Sequence, residues 1–246
     1  MQSHQIVSRE QWTEARQALL AREKQLTRER ERLALERRAL PWVRVDKAYG
    51  FEGPRGRATL AELFAGRSQL VVQHFMFAPD WNEGCKSCSF WADGFERMTP
   101  HLNARDTTLV AISRAPLSKL EAFKARMGWS FAWYSSGDSD FNYDYGVAFT
   151  PDQIASGVQS YNFGGSAFAI EDAPGISVFY RDHDGGIFHT YSCYARGLDM
   201  MNAAYQYLDL TPLGRHEEGL PYPMDWVRLR DQYQPAAVST QTCCQT

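Results

Sequence analysis

The chain has 246 residues, of which 44% are hydrophobic, 13% aromatic and 22% charged. This composition is that of a folded globular protein and excludes a disordered or fibrous chain. The net charge of −3 is split between +4 in residues 1–47 and −7 in the remainder, so it provides no overall attraction to nucleic acid or to an anionic membrane.

A long helix is predicted over Ser8–Leu40. Ser8 and Gln11 have the spacing of a capping box, and Pro41 ends the helix. Apolar residues recur every seven positions at Trp12, Leu19, Leu26, Leu33 and Leu40. The companion heptad positions are charged, so this stripe is one residue wide. It suits either an arm that lies along its own domain or its twin, or a helix that binds a partner or forms a homodimer.

Short β runs then alternate with helices. Buried strands are predicted over Gln69–Phe77 and Thr107–Ser113, because both segments are short and almost wholly apolar. A helix is expected between them, from about Cys85 to Asn103, and an amphipathic helix follows over Pro116–Met127. This order implies a parallel βαβ unit with a right-handed crossover.

The second half of the chain contains a hairpin. A short strand is predicted over Phe131–Ser135, and Ser136–Tyr145 is expected to be a loop. Strands over Ile176–Arg181 and Gly186–Ser192 are separated by a turn sequence, and a closing helix covers Leu198–Leu208. The order of elements is therefore βαβα followed by ββα.

One pair of cysteines has the spacing of a catalytic or metal-binding motif. Five cysteines lie at positions 85, 88, 193, 243 and 244, and Cys85 and Cys88 form a C-x-x-C motif between a predicted strand and a predicted helix. A thiol at a helix N-terminus ionises more readily because unpaired N–H groups and the helix dipole favour an anion. Cys85 is thus predicted to be the attacking thiolate, and Cys88 to resolve the mixed disulfide.

The chain resembles a known family in several segments. They are Gly84-Cys-Lys-Ser-Cys-Ser-Phe-Trp-Ala-Asp-Gly-Phe95, His101-Leu-Asn-Ala-Arg-Asp106, Ser113-Arg-Ala-Pro116, Ser139-Asp-Phe-Asn-Tyr-Asp144 and Tyr194-Ala-Arg-Gly-Leu-Asp199. These segments closely resemble the bacterial thioredoxin-like family of unknown function described as predicted dithiol-disulfide oxidoreductases. The resemblance covers the chain from the N-terminal helix to Gly214. It implies an α/β thioredoxin-like fold and a redox role without naming a substrate.

Two further residues follow from comparison with thioredoxin folds. Alignment of the first buried strand places His74 where thioredoxins have a buried Asp, so we expect His74 to accept the proton of Cys88. The alternative is that His74 is a structural histidine of the core, satisfied by a hydrogen bond. Pro174 stands where the fold carries a cis proline before the ββα unit, and a cis bond is expected there.

Four residues are candidate contacts for the substrate, which we expect to be a small molecule or protein that bears a thiol or disulfide. They are Trp81, Lys86, Arg114 and Arg196. Lys86 would favour the Cys85 thiolate or be a solvated surface lysine, and the two arginines could hold an anionic group. Most other aromatic residues between positions 81 and 194 are assigned to the core and to subunit contacts.

Rival chemistries remain open. Copper or zinc could bind Cys85 and Cys88 together with His74 and His189, although no second C-x-x-C accompanies the pair. A peroxiredoxin site is a poor match, because Asn82 rather than Thr or Ser stands three residues before Cys85. A non-catalytic binding module is the third possibility. No phosphate loop, nucleophile elbow or dinucleotide-binding glycine motif occurs, so neither a flavin nor a nicotinamide cofactor is expected.

The predicted organisation has three parts. Residues 1–42 form the helical arm, residues 43–233 form the thioredoxin-like domain with a central insertion and a C-terminal extension, and residues 234–246 form a disordered tail with Cys243 and Cys244. No apolar run reaches the roughly 18 residues of a transmembrane helix, and the N-terminus lacks signal-peptide features. We therefore expect a cytoplasmic protein without a membrane partner.

Overall fold

The computed structural model describes residues 4–137, 139–157, 161–164 and 170–233. The predicted tail with Cys243 and Cys244 lies outside these residues. The chain divides into two compact units, Met1–Trp42 and Val43–Thr246. Over the described ranges, no helix combines the length and the apolar character that crossing a bilayer requires.

The first unit contains one long helix, α1 (Arg9–Arg38). The predicted capping box is confirmed, since the Gln11 N–H donates to Ser8 Oγ and the Ser8 N–H donates to Gln11 Oε1. No side chain of α1 is buried, and the residues of the seven-residue stripe are 45–60% exposed. Dimerisation through this stripe stays a prediction.

The second unit contains the remaining elements. Its strands are β1 (Val43–Arg44), β2 (Gly50–Gly53), β3 (Gly56–Thr59), β4 (Gln69–His74), β5 (Thr107–Ser113), β6 (Ala132–Ser135), β7 (Gly175–Arg181) and β8 (Ile187–Tyr194). Its α-helices are α2 (Leu60–Leu63), α3 (Lys86–Ala92), α4 (Phe95–Asn103), α5 (Leu117–Met127), α6 (Phe141–Asp144), α7 (Pro151–Ser156) and α8 (Ala203–Leu208). Three 3-10 segments cover Asn162–Gly164, Ala195–Met201 and Arg230–Gln232.

Eight strands of the described residues form one mixed sheet in the order β1-β8-β7-β4-β5-β6-β2-β3. The pairs β4–β5 and β5–β6 are parallel, and the other neighbours are antiparallel. The central strands β5, β4, β7 and β8 therefore carry the predicted βαβ and ββα units. β6 with the β2–β3 hairpin extends the sheet beyond β5, and β1 extends it beyond β8.

The central strands are buried on both faces, as their apolar sequences predict. In β5, Leu109 and Ala111 join the core cluster that contains residues of α3, α4 and α5, whereas Val110 and Ile112 join the opposite cluster with α2 and α6. This alternation is the two-residue period of a strand. Trp91, Trp129, Trp133, Phe141, Tyr145 and Tyr194 are all buried.

Several predicted boundaries are corrected by the structure. The helix expected over 85–103 is broken into α3 and α4, because Gly94 favours a break and the Asp93 carboxylate accepts a hydrogen bond from Trp129 Nε1 at 2.9 Å. The segment expected to be a loop over 136–145 contains α6, whose Phe141 is fully buried. The closing helix is divided at Asn202, whose side chain caps α8. The short strands β1, β2 and β3 are additional elements.

Gly84 occupies a crowded position directly before the cysteine pair. A Cβ atom there would lie 2.8 Å from Phe75 Cε1 and 2.9 Å from Phe123 Cε1. Both distances are shorter than a carbon–carbon contact permits, and both rings belong to the buried core. The loop can therefore approach the core this closely only with glycine at position 84.

We expect Gly84→Ala to lower the free energy of unfolding by about 1–3 kcal/mol, because the added methyl group overpacks the two phenylalanine rings. Urea unfolding measures the difference. Gly94→Ala is the matched control, since the nearest atom to a Cβ at that position is Trp91 O at 3.4 Å. Equal losses in the two variants would contradict the steric explanation.

Candidate active site

The cysteine pair lies at the carboxyl end of a central strand. β4 ends at His74, the chain continues through a loop to Gly84, and Cys85 is the residue that precedes α3. Cys85 is partly exposed, whereas Cys88 in the first turn of α3 is 2% exposed. Cys85 is therefore the more accessible residue of the pair.

The backbone of Met76 holds both cysteines. The Cys85 N–H donates to Met76 O at 3.0 Å, and the Met76 N–H donates to Cys88 Sγ at 3.4 Å. The Cys85 carbonyl in turn accepts the Ser89 N–H and the Ser89 hydroxyl, each at 2.9 Å. These contacts fix both thiols relative to the end of β4.

The two thiols have opposite ionisation properties. The pKa of Cys85 is lowered to about 7, because the Cys88 S–H donates to its sulfur and because the N–H groups of Cys88 and Ser87 and the Ser87 hydroxyl also stabilise the thiolate, against the effect of burial. The pKa of Cys88 is raised well above that of a free thiol by burial and then by its interactions with Cys85. The sulfur of Cys85 therefore forms a thiolate readily, whereas the buried sulfur of Cys88 remains protonated.

The loop before Cys85 is held from α5. Lys119 Nζ donates to Pro79 O at 2.7 Å and to Trp81 O at 2.9 Å. Trp81 is partly buried against the core. Glu83 forms an ion pair with Arg126. The anchoring by Lys119 was not foreseen from the sequence, where a lysine in a helix carries no signal of a distant loop.

The C-terminal extension lies beside α3. Lys86 Nζ donates to the Asp225 carbonyl at 3.2 Å and stands 5.9 Å from the centre of the Tyr222 ring. The pKa of Tyr222 is raised by its hydrogen bond with Asp225 and, among weaker effects, by the charge of Cys85. Trp226 packs edge-to-face on Phe90. The extension thus brings a phenol within electrostatic range of Cys85, a placement that no motif in the sequence indicates.

Arg114 is buried in an ion-pair network. Its Nε donates to Asp172 Oδ1 at 2.6 Å, one terminal nitrogen donates to Glu171 Oε2 at 3.0 Å, and the other donates to the Tyr143 hydroxyl at 3.2 Å. Two carboxylates of the chain already bind this guanidinium. These partners occupy the Arg114 guanidinium, and its expected role in holding an anionic substrate stays a prediction. The exposed Arg196 pairs with Asp199 at 2.9 Å.

A cavity of about 840 Å³ opens beside this network. It lies along the β2–β3 hairpin and at the ends of β5 and β6, and its lining includes Lys47, Arg57, Pro79, Arg114 and Ser136. Ligands of open α/β sheets bind at this edge. Pro79 belongs to the loop that leads to Cys85, so the cavity and the thiols lie at the same end of the sheet.

His74 belongs to a hydrogen-bond chain across three strands. Its Nε2 is 2.8 Å from Ser177 Oγ, which is 2.8 Å from Ser192 Oγ, which is 2.7 Å from His189 Nε2. Burial lowers the pKa of His74 to about 3, and the charge of His189 acts in the same direction. Its Nδ1 has no hydrogen-bond partner among the described residues. These contacts match the alternative of a satisfied core histidine better than that of a proton acceptor.

Two further expectations are corrected. In the described part of the chain, no three His, Cys, Asp or Glu side chains are grouped so that they could hold a metal ion. The ligand set Cys85, Cys88, His74 and His189 is therefore not brought together. The peptide bond before Pro174 is trans, since the described chain has no cis bond. The Pro174 carbonyl accepts the Tyr161 hydroxyl at 2.7 Å.

The connectivity of the sheet and the position of the cysteine pair define a thioredoxin-like fold. The family model described as bacterial protein of unknown function (DUF899) matches residues 1–233, and the chain belongs to this family. No curated protein matches it in sequence.

Solved structures with a similar fold include peroxiredoxins. A mutant of peroxiredoxin Q from Xanthomonas campestris is 15% identical, with a TM-score of 0.44 over 64% of this chain and 90% of that chain. Peroxidoxin BcpB from Mycobacterium tuberculosis is 13% identical, with a TM-score of 0.40 over 68% and 97%. The mitochondrial 2-cys peroxiredoxin from Plasmodium falciparum is 10% identical, with a TM-score of 0.39 over 68% and 92%.

The burial of neutral His74 predicts a pH-dependent stability. Because its pKa is about 3 in the folded state and 6.5 in a free side chain, the unfolded state binds the additional proton below pH 6.5, and stability falls as the pH falls. This group should cost about 2 kcal/mol between pH 7 and pH 5. Urea unfolding of the wild type and of His74→Gln at both pH values measures the difference, with His183→Gln as a surface control. An identical pH dependence in the wild type and in His74→Gln would contradict the assignment.

The lowered pKa of Cys85 predicts its alkylation profile. Modification of Cys85 by iodoacetamide, located by peptide mapping, should be half-maximal near pH 7 and fall about tenfold per pH unit below it. Cys88→Ala removes the largest stabilising hydrogen bond and should move the midpoint to higher pH. Cys88→Ser retains an O–H donor and should move it less. An unchanged midpoint in Cys88→Ala would show that Cys88 does not stabilise the thiolate.

Proposed function

We propose that this protein is a thiol-disulfide oxidoreductase in which Cys85 is the nucleophile and Cys88 the resolving thiol. The observation that carries the proposal is the placement of the pair, with the partly exposed Cys85 directly before α3 and the buried Cys88 in the first turn of α3. In this arrangement the pKa of Cys85 is lowered to about 7, and the pKa of Cys88, which hydrogen-bonds to it, is raised well above that of a free thiol. An attacking thiol is most effective when its pKa lies near the ambient pH.

The proposed reaction has two steps. The Cys85 thiolate attacks a substrate disulfide R–S–S–R, forms a Cys85–S–S–R mixed disulfide and releases one R–S⁻. Cys88 then loses its proton and attacks Cys85 Sγ, which forms the Cys85–Cys88 disulfide and releases the second R–S⁻. The substrate disulfide is reduced by two electrons and the protein dithiol is oxidised by two. A second dithiol or a small thiol would restore the reduced pair.

The substrate is proposed to approach from the partly exposed side of Cys85. The cavity of about 840 Å³ at the same sheet edge has room for the part of a small molecule that does not react. Trp81 belongs to the loop before the cysteine motif, and Tyr222 belongs to the C-terminal extension. These two residues are the candidate contacts for the part of the substrate that reacts with Cys85. A reducing compartment such as the cytosol would keep the pair in the dithiol form that begins the cycle.

The test uses oxidised glutathione and intact-mass spectrometry on full-length protein with Cys243→Ser and Cys244→Ser. The otherwise unchanged pair should lose two hydrogens and release two thiols. Cys88→Ser should retain one glutathione on Cys85, because no thiol remains to resolve the mixed disulfide. Cys85→Ser should form neither product.

Peptide mapping identifies the cysteine that carries the glutathione adduct, and its result can contradict the proposed roles of Cys85 and Cys88. Attachment of glutathione at Cys88, or the absence of both adduct and disulfide at the motif, would overturn the proposal. Cys193 is buried and serves as an internal control for a thiol that should stay unmodified.

A further inference from the structure

Asp172 carries a buried carboxylate oxygen that no described residue satisfies. The residue is 2% exposed, and its Oδ1 accepts the Arg114 Nε–H at 2.6 Å. Its Oδ2 has no hydrogen-bond partner among the described residues. Such an atom costs free energy, since buried polar atoms are almost always paired. The unpaired Oδ2 atom lies in the region of the cysteine pair and needs a physical explanation.

The sheet register places Asp172 next to the end of β4. Gly175 and His74 form the last pair of the antiparallel β4–β7 ladder, so Asp172 lies three residues before this pair on one segment and Met76 two residues after it on the other. The Met76 N–H contacts Cys88 Sγ. In agreement with this placement, the charge of Asp172 contributes to the raised pKa of Cys88. The carboxylate and the resolving thiol therefore share one enclosed region.

We propose that Asp172 Oδ2 accepts the proton of Cys88 in the resolving step. The proposal rests on the proposed function, because it assigns a partner to the second of its two reactions. The Cys88 S–H bond breaks, its proton passes to Asp172 directly or through one water molecule, and the electron pair left on sulfur attacks Cys85 Sγ. The proton leaves Asp172 for solvent after the disulfide has formed.

The charges around Asp172 suit this role. Burial raises the pKa of Asp172, and the charges of Glu171 and Asp80 raise it further, whereas Arg114 lowers it. Arg114 therefore keeps the carboxylate ionised and oriented, while the other effects make it a stronger base than an exposed aspartate. A base of this kind can take a proton that solvent water removes poorly from a buried thiol.

Three other titratable groups are poorer candidates than Asp172 for the base that deprotonates Cys88. The Tyr161 hydroxyl donates to Pro174 O and accepts the Ala195 N–H, and burial raises its pKa. Cys85 is consumed in the mixed disulfide at the moment of resolution. His74 hydrogen-bonds Ser177, and a pKa of about 3 makes it too weak a base to hold the proton.

Rapid mixing with the aromatic disulfide dithiobis(nitrobenzoate) separates the two steps, because each releases one coloured thiolate. The protein is the full chain with Cys243→Ser and Cys244→Ser. At pH 7, Asp172→Asn should leave the first phase within about 2-fold of the parent and slow the second by about 100-fold. The second phase of the variant should recover only at alkaline pH, where Cys88 ionises without assistance.

Two variants serve as controls. His74→Gln should leave the second phase within about 2-fold of the parent. Glu171→Gln removes a half-exposed carboxylate that shares Arg114, and it should preserve the second phase at pH 7. Because the charge of Glu171 raises the pKa of Asp172, this variant should also shift the acid limb of the second phase to lower pH. That shift tests the proposal even if Asp172→Asn does not fold.

The outcomes distinguish the two proposals. A normal second phase in folded Asp172→Asn, a slow second phase in His74→Gln, or an unmoved acid limb in Glu171→Gln would overturn the role of Asp172. Loss of the first phase in the parent protein would instead refute the thiol-disulfide function itself. Circular dichroism and the rate of the first phase establish whether Asp172→Asn retains the native site.

Discussion

The backbone of Met76 is the fixed point on which the site depends. Its carbonyl accepts the Cys85 N–H and its N–H donates to Cys88 Sγ. Met76 stands two residues beyond the end of β4, a strand that is paired with β5 on one side and β7 on the other. Hydrogen bonds from Cys88 and Ser87 stabilise the Cys85 thiolate, whereas burial keeps Cys88 protonated, and these two effects produce the difference in acidity. A dithiol on a mobile loop would have no such asymmetry.

The surroundings of the pair are built by elements far apart in the chain. Lys119 on α5 holds the loop before Cys85, and Gly84 permits that loop to pack on Phe75. The C-terminal extension covers α3 through Asp225 and Trp226. These additions do not alter the sheet order of the redox core. They pack beside α3 and the loop before Cys85, and under the proposed function we expect specificity to depend on them rather than on the motif.

The sequence predicted the elements whose signals are local. Strands β4, β5, β7 and β8, helix α5 and the capping box of α1 follow from apolar runs, turn residues and cap spacing, and all are present. Two kinds of feature could not be predicted in this way. At the break between α3 and α4, the Asp93 carboxylate accepts a hydrogen bond from Trp129, a residue that is remote in sequence. The strands β1 to β3 are too short to carry a periodic pattern.

The site shows the same division between local and distant signals. C-x-x-C spacing identified Cys85 and Cys88, but strand alignment pointed to His74 as the acid-base group. His74 lies within a paired strand, where its ring is enclosed by the sheet and bound to Ser177. Asp172 comes from the segment that enters the neighbouring strand β7, almost a hundred residues later, and its charge acts on Cys88 in the folded chain. A proton acceptor must also be stabilised as an anion, and Arg114 provides that charge at 2.6 Å. The feature that distinguishes the two residues is thus an ion pair between distant segments, which one sequence read by itself does not reveal.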